Sequence, residues 1–181
     1  MFATDRGASA RNRNFDSRKS RDAAHTAALK TLARIVRTPE LPAERGGLPP
    51  KIARFLETAN IPSPCLIVDV DMVEHHYREL AQALPAARIF YAVKANPADE
   101  IVARLAALGS NFDTARIGEI DLCLKHGIAP ERLSFGNTIK KQQDIATAFA
   151  RGVRLFAFDS MAELQKLAES APGAKVFCRI L

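Results

Sequence analysis

Apolar and polar positions divide the chain into two textures. Residues 1–47 offer little to bury: "MFATDRGASARNRNFDSRKSRD" is polar and Arg-rich, and such a composition makes disorder the default. Within this extension "AAHTAALKTLARIVR" places Leu29, Leu32, Ile35 and Val36 on one helical face, with Lys30, Arg34 and Arg37 around it. "TPELPAERGGLPP" reads as a linker by its Pro and Gly content. From residue 48 onward the pattern is that of a folded domain. "KIARFLETA" predicts a short amphipathic helix, and "CLIVDV" (65–70) is strand-like. Asp71 with Glu74 makes an N-cap and a third-position acid, and the helix behind them carries Val73, Tyr77, Leu80 and Leu84 on one face.

A rhythm then sets in. Strand-like segments occur at "RIFYAV" (88–93), "SNFDTA" (110–115), "RLSFGN" (132–137), "RLFAFD" (154–159) and "KVFCRIL" (175–181), with starts about 22 residues apart. Helical patterns lie between them. "DEIVARLAALG" aligns Ile101, Leu105 and Leu108, and "IGEIDLCLKHG", "KKQQDIATAFARG" and "SMAELQKLAES" follow. The first three close on Gly109, Gly127 and Gly152, the last on "APG", which suits a helix C-terminus followed by a turn. Ser160 and Glu163 form a capping box at the start of the fourth. Strand–helix units repeated at this period predict an α/β fold of parallel strands with helical crossovers. Short segments and tight loops favour a (β/α) barrel over a doubly wound sheet. No GxGxxG or GxxxxGK[ST] follows any strand. A closed barrel needs eight strands and five are present, so the sequence reads as a truncated barrel. Such a piece is expected to expose a strand edge and to be poorly soluble alone.

Composition narrows the classes. Hydrophobic residues make up 48% and charged residues 25%, as in soluble globular proteins. No apolar run approaches the ~20 residues that a membrane span requires. The net charge of +6 is concentrated in residues 1–47, which hold ten of the 26 Lys and Arg but five of the 20 Asp and Glu. The remainder carries 16 basic and 15 acidic residues, so nothing in its charge suggests nucleic-acid binding. A mitochondrial presequence would be poor in acids, and Asp5, Asp16 and Asp22 count against one. A dispensable extension is the plainer reading. Cys65, Cys123 and Cys178 are scattered and fit no zinc spacing. Cys123 and Cys178 lie in apolar runs and read as small core residues, which fits a reducing, cytoplasmic setting. His25, His75, His76 and His126 form no ligand pattern.

Candidate chemistry starts at Lys94, which ends the apolar run of "IFYAVKANP". In a parallel barrel, functional groups gather at the C-terminal ends of the strands, where Lys94, Asp113, Asn137 and Asp159 all fall. A lysine held at the barrel mouth is expected to be partly desolvated, with its pKa lowered, and so to form Schiff bases readily. The ordinary alternative is a solvated loop lysine. Asp113 could pair with Lys94 or a cofactor cation, or simply cap the next helix. Glu119, in that helix's first turn, has the helix dipole as its ordinary role. Arg179, between Phe177, Cys178 and Ile180, suits an anionic partner or an aromatic face.

"YAVKANP" followed by "NFDTARIGEI" closely resembles the fold-type III pyridoxal-phosphate (PLP) decarboxylases. "SFGNTIKK", "GVRLFAFDSMAEL" and "VFCRIL" match in the same order, so the likeness spans about residues 50–181. It looks most like the ornithine/lysine decarboxylase branch. The "FDxxSxGE" form typical of diaminopimelate decarboxylases is not met, because Thr114, Ala115 and Arg116 follow Asp113. The resemblance implies an alanine-racemase-like (β/α)8 barrel, here with about five strands and without the family's C-terminal β-domain. It implies that Lys94 carries PLP as an imine, that Asp113 and Glu119 support activity near it, and that Arg179 lies beside the pyridine ring. It further implies a homodimer when full length, a small amino-acid substrate, no nucleic-acid or membrane partner and no metal. The expected activity is decarboxylation of a basic amino acid, L-ornithine before L-lysine, giving a diamine such as putrescine for polyamine synthesis. Rival readings are a diaminopimelate or arginine decarboxylase of the same fold, a non-catalytic homologue acting by protein binding, and a barrel aldolase using the lysine without PLP.

Overall fold

The computed structural model describes residues 47–180. The Arg-rich extension, its amphipathic stretch and Leu181 lie outside the described residues. Two compact units are distinguished among the described residues: 47–65 with Gln82–Leu84, and Leu66–Ala81 with 85–180. In the first, "KIARFLETA" is helical as expected. Helix α1 (Pro50–Thr58) starts with a proline in its first turn, where no backbone donor is lost. The Ala59 N–H and the Thr58 hydroxyl both donate to Phe55 O at its end.

Helix α2 (Val70–Ala83) comes next along the chain. The strand expected over 65–70 does not form. Leu66 is 83% exposed there, no neighbouring strand pairs with the run, and its end is drawn into the helix. Asp69, not Asp71, caps α2: its Oδ1 accepts from Asp71 N at 3.0 Å. Asp71 sits in the first turn and, with Glu74, receives Arg104 Nη1 at 3.3 and 2.6 Å. Val73 and Tyr77 face the core as their spacing required, whereas Leu84 falls beyond the helix end.

Five strands and four further helices then alternate. They are β1 (Phe90–Ala92), α3 (Asp99–Ala107), β2 (Asn111–Thr114), α4 (Ile117–Lys125), β3 (Leu133–Phe135), α5 (Gln142–Ala150), β4 (Leu155–Phe158), α6 (Met161–Ser170) and β5 (Lys175–Cys178). Every strand lies within a segment expected from the sequence. All four pairings are parallel, and the spatial order β1-β2-β3-β4-β5 follows the chain. A doubly wound sheet would reverse order at a switch point; this sheet winds one way, as a barrel wall does. Helices α3 and α4 end at Gly109 and Gly127, whose φ of +85° and +70° are left-handed values that glycine adopts without steric cost.

Strand alternation separates two faces. Phe112, Leu133, Phe135 and Phe156 are fully buried against Ile101, Leu105, Ile120, Cys123, Ile145 and Leu167 of the helices. Burying each large side chain stabilises the fold by about 1.5–3 kcal/mol. Phe135 and Phe156 pack at 6.2 Å between centroids. β5 departs from this pattern: all four residues are exposed, so Cys178 is a surface thiol and not the core residue its apolar context suggested.

Candidate active site

The opposite face of the sheet is concave and polar at its centre. A cavity of about 440 Å³ is lined by Phe90, Ala92, Asp113, Ser134, Gly136, Leu155, Phe177 and Arg179. These positions share strand parity. Ala92, Asp113, Ser134 and Leu155 are registered partners across β1 to β4, so they form one row along the cavity floor. Asp113 is half-buried, and Ser134 Oγ donates to its Oδ1 at 2.6 Å. Arg179 N donates to Phe158 O at 2.8 Å, which extends the β4–β5 ladder past Cys178 and brings Arg179 into the lining.

Lys94 follows Phe90 and Ala92 at the same two-residue spacing but sits in a single 3-10 turn, Val93–Ala95. The Tyr91 hydroxyl donates to Asn96 O at 3.1 Å, and Asn96 Oδ1 accepts from Ala98 N at 3.1 Å. These bonds fix the turn between strand and helix. Lys94 itself is exposed and does not line the cavity, and among the described residues no carboxylate pairs with its ammonium. The desolvation expected for it is absent. Its side chain carries an amine at the C-terminal end of β1, one step beyond the cavity wall.

Glu119 occupies a different place from Asp113. It is 3% exposed, and its Oε2 accepts from Ala115 N at 2.7 Å while Oε1 pairs with Arg116 Nε at 2.8 Å. It therefore closes the turn from β2 into α4 from behind the cavity. The ordinary reading as a first-turn acid holds for its position, but burial and the back-bond to Ala115 make it a clamp on the segment after Asp113. Asn137 lies two residues past β3 and Asp159 directly after β4, and both are exposed; Asn137 Nδ2 donates to Ala115 O at 3.5 Å.

Beyond those residues, Ser134 and Gly136 line the cavity, and Lys140, Glu163 and Lys166 form a buried ionic cluster below the β3–α5 loop. Lys140 Nζ donates to Asn137 O at 2.9 Å and Ala157 O at 2.7 Å, and pairs with Glu163 Oε1 at 2.8 Å. Glu163 Oε2 takes Lys166 at 2.5 Å. Burial pushes the Lys140 ammonium's pKa down against the pull of Glu163. Burial pushes the Glu163 carboxyl up, but the two ammonium groups outweigh it and hold that carboxyl below its ordinary value. The expected capping box is half formed: Ser160 Oγ accepts from Glu163 N at 3.3 Å, while the Glu163 carboxylate turns to the lysines. The sequence signal for Ser134 and Gly136 was strand parity with Asp113. For the cluster there was none, because Lys140 fell at the start of a helical pattern and Glu163 read as the acid of a capping box.

The lining suits PLP. Phe90, Leu155 and Phe177 give apolar walls for a flat ring, Arg179 offers a cation to an anionic substituent, and Asp113 offers an acceptor to an N–H. Gly136 lets the chain pass the floor without a Cβ. Among the described residues no cluster of His, Cys, Asp and Glu could hold a metal, and no helix is long and apolar enough to cross a membrane.

Residues 70–181 match the family described as "Pyridoxal-dependent decarboxylase, pyridoxal binding domain". The lysine/ornithine decarboxylase of Selenomonas ruminantium is 40% identical over 120 residues, which cover 66% of this chain and 30% of that protein. The solved complex of SrLDC with PLP and cadaverine superposes with a TM-score of 0.67 at 38% identity, covering 75% of this chain and 35% of that one. The lysine/ornithine decarboxylase of Vibrio vulnificus, solved with cadaverine, gives a TM-score of 0.69 at 29% identity, covering 74% and 37%. The chain thus spans about a third of the length of the relatives it matches.

Proposed function

Since the chain belongs to the pyridoxal-dependent decarboxylases and its cofactor is PLP, we propose that it serves the decarboxylation of a basic amino acid, L-ornithine first and L-lysine second. The products are CO2 and a diamine, putrescine in the first case. The observation that carries this reading is the placement of Lys94 one step past the row Ala92, Asp113, Ser134, with Arg179 completing the lining. Bound PLP supplies the electron-withdrawing ring that lets the Cα carboxylate leave as CO2.

The chain's own residues have separate tasks. Lys94 would hold PLP by its amine, which stands at the C-terminal end of β1. Asp113 presents a carboxylate to a nitrogen donor in the cavity. Arg179, which lines the cavity just past β5, would lie beside a ring held there. Glu119 acts through the backbone, holding Ala115 and with it the end of β2. The homodimer, the cytoplasmic setting and the choice of ornithine over lysine belong to this reading and draw on the likeness to the family.

The test is made on the intact protein with PLP. Borohydride reduction and peptide mapping should place the pyridoxyl label on Lys94, and Lys94→Ala should abolish it; label on another lysine refutes the assignment. Diamine release is then compared for ornithine, lysine, arginine and diaminopimelate. Turnover confined to the last two overturns the substrate order.

A further inference from the structure

Among the described residues Asp113 is the acidic residue of the cavity lining, and Ser134 and Gly136, on and just past β3, lie against it. Ser134, its registered partner, donates to Oδ1. The second hold is space. A Cβ added at Gly136 would overlap Oδ1, Oδ2 and Cγ of Asp113, so the carboxylate lies directly against the glycine. Among the described residues the glycines with left-handed φ are Gly109, Gly127, Gly152 and Gly173, and Gly136 is not one of them. Its backbone would therefore accept alanine. What excludes a side chain at 136 is the Asp113 carboxylate, not the path of the chain. β2 and β3 are locked in register at this point by Gly136 N donating to Thr114 O at 2.9 Å and Thr114 Oγ1 donating to Ser134 O at 2.7 Å.

We propose that Ser134 and Gly136 are positioning residues that dock the Asp113 carboxylate against β3, leaving its remaining lone pairs as the cavity's anionic acceptor for an ammonium N–H. An ionised carboxylate offers about four acceptor positions, and the Ser134 hydroxyl occupies one. No cation among the described residues takes the others. This rests on the reading above that Asp113 serves the PLP site.

The intact protein is made as Ser134→Ala, Gly136→Ala, Asp113→Ala and the double variant Gly136→Ala/Asp113→Ala. Stability is read from urea unfolding, PLP affinity from absorbance titration, and turnover from kcat and KM. Ser134→Ala removes a hydrogen bond to a charged group and should lower kcat by about tenfold or more. Gly136→Ala displaces the carboxylate and should lower kcat in the same direction. Gly136→Ala should weaken stability and PLP binding in the wild-type background. In the Asp113→Ala background the added methyl enters vacated space, and the same substitution should change neither. Equal effects of Gly136→Ala in both backgrounds overturn the proposal. So does a Ser134→Ala variant with wild-type kcat. If the wild-type protein takes up no PLP, the decarboxylase reading fails, while the stability cycle still decides whether Gly136 and Asp113 are coupled.

Discussion

Replacing Lys140 with alanine should be among the most damaging single changes to this fold, although the residue opens a stretch that reads as an ordinary helix. Its side chain is 0% exposed; the ammonium donates to Asn137 O and Ala157 O and forms an ion pair with Glu163. Lys140→Ala leaves two carbonyls without that donor and strips Glu163, itself 3% exposed, of one of its two cations. Breaking a buried ion pair from one side costs about 3–5 kcal/mol. Lys166 stays to neutralise Glu163, so the lower end applies, about 3 kcal/mol. For a unit of this size each kcal/mol moves the melting temperature by about 3–5 °C, which gives a drop of about 10–15 °C. Urea unfolding of the intact protein at pH 7, followed by circular dichroism, measures the loss. Lys166→Ala is the internal control: its side chain is 32% exposed, and removing it should cost no more than about 1 kcal/mol. A Lys140→Ala protein within about 1 kcal/mol of wild type, or a Lys166→Ala protein equally destabilised, would show that the buried cluster does not tie the β3–α5 loop to β4 and α6.

Further expectations follow from the same structure. The Cys123 thiol is pushed up to about 12 by burial and by the nearby Glu119, so a thiol reagent at pH 8 should label Cys65 and Cys178 and leave Cys123 untouched until the protein is unfolded; rapid labelling of Cys123 in the native state would contradict its burial. Acid should destabilise the fold through Glu163. Its folded pKa lies below the ordinary 4.5, so the native state holds fewer protons than the unfolded chain in that range; the stabilisation is present above about pH 4.5 and is lost as the pH falls through the folded value. Glu163→Gln should flatten that acid limb in a series of urea melts between pH 6 and 3, and an unchanged slope would assign the acid sensitivity to other carboxylates.

The alternation of short apolar runs with helical stripes, at a spacing near 22 residues, was sufficient to locate all five strands and the four helices between them. That pattern is local: it records which side of each element meets an apolar environment, and it survives whatever the element packs against. Lys94 was singled out because it ends an apolar run, and Asp113 because it falls near the C-terminal end of the next strand-like segment, which a parallel strand presents to the mouth. Where the pattern misled, the missing term was a partner. "CLIVDV" has strand composition but no strand beside it, and Cys178 lies on a strand whose faces are exposed. What only the tertiary structure decided was register and depth. Placing Ser134 opposite Asp113, pressing the carboxylate onto Gly136, and sinking Lys140 beneath a polar loop all depend on how residues some twenty positions apart are brought together across neighbouring strands and helices. Hydrophobic periodicity carries no record of those pairings, because a side chain's contact across a sheet is set by the alignment of two strands and not by its own neighbours in the chain.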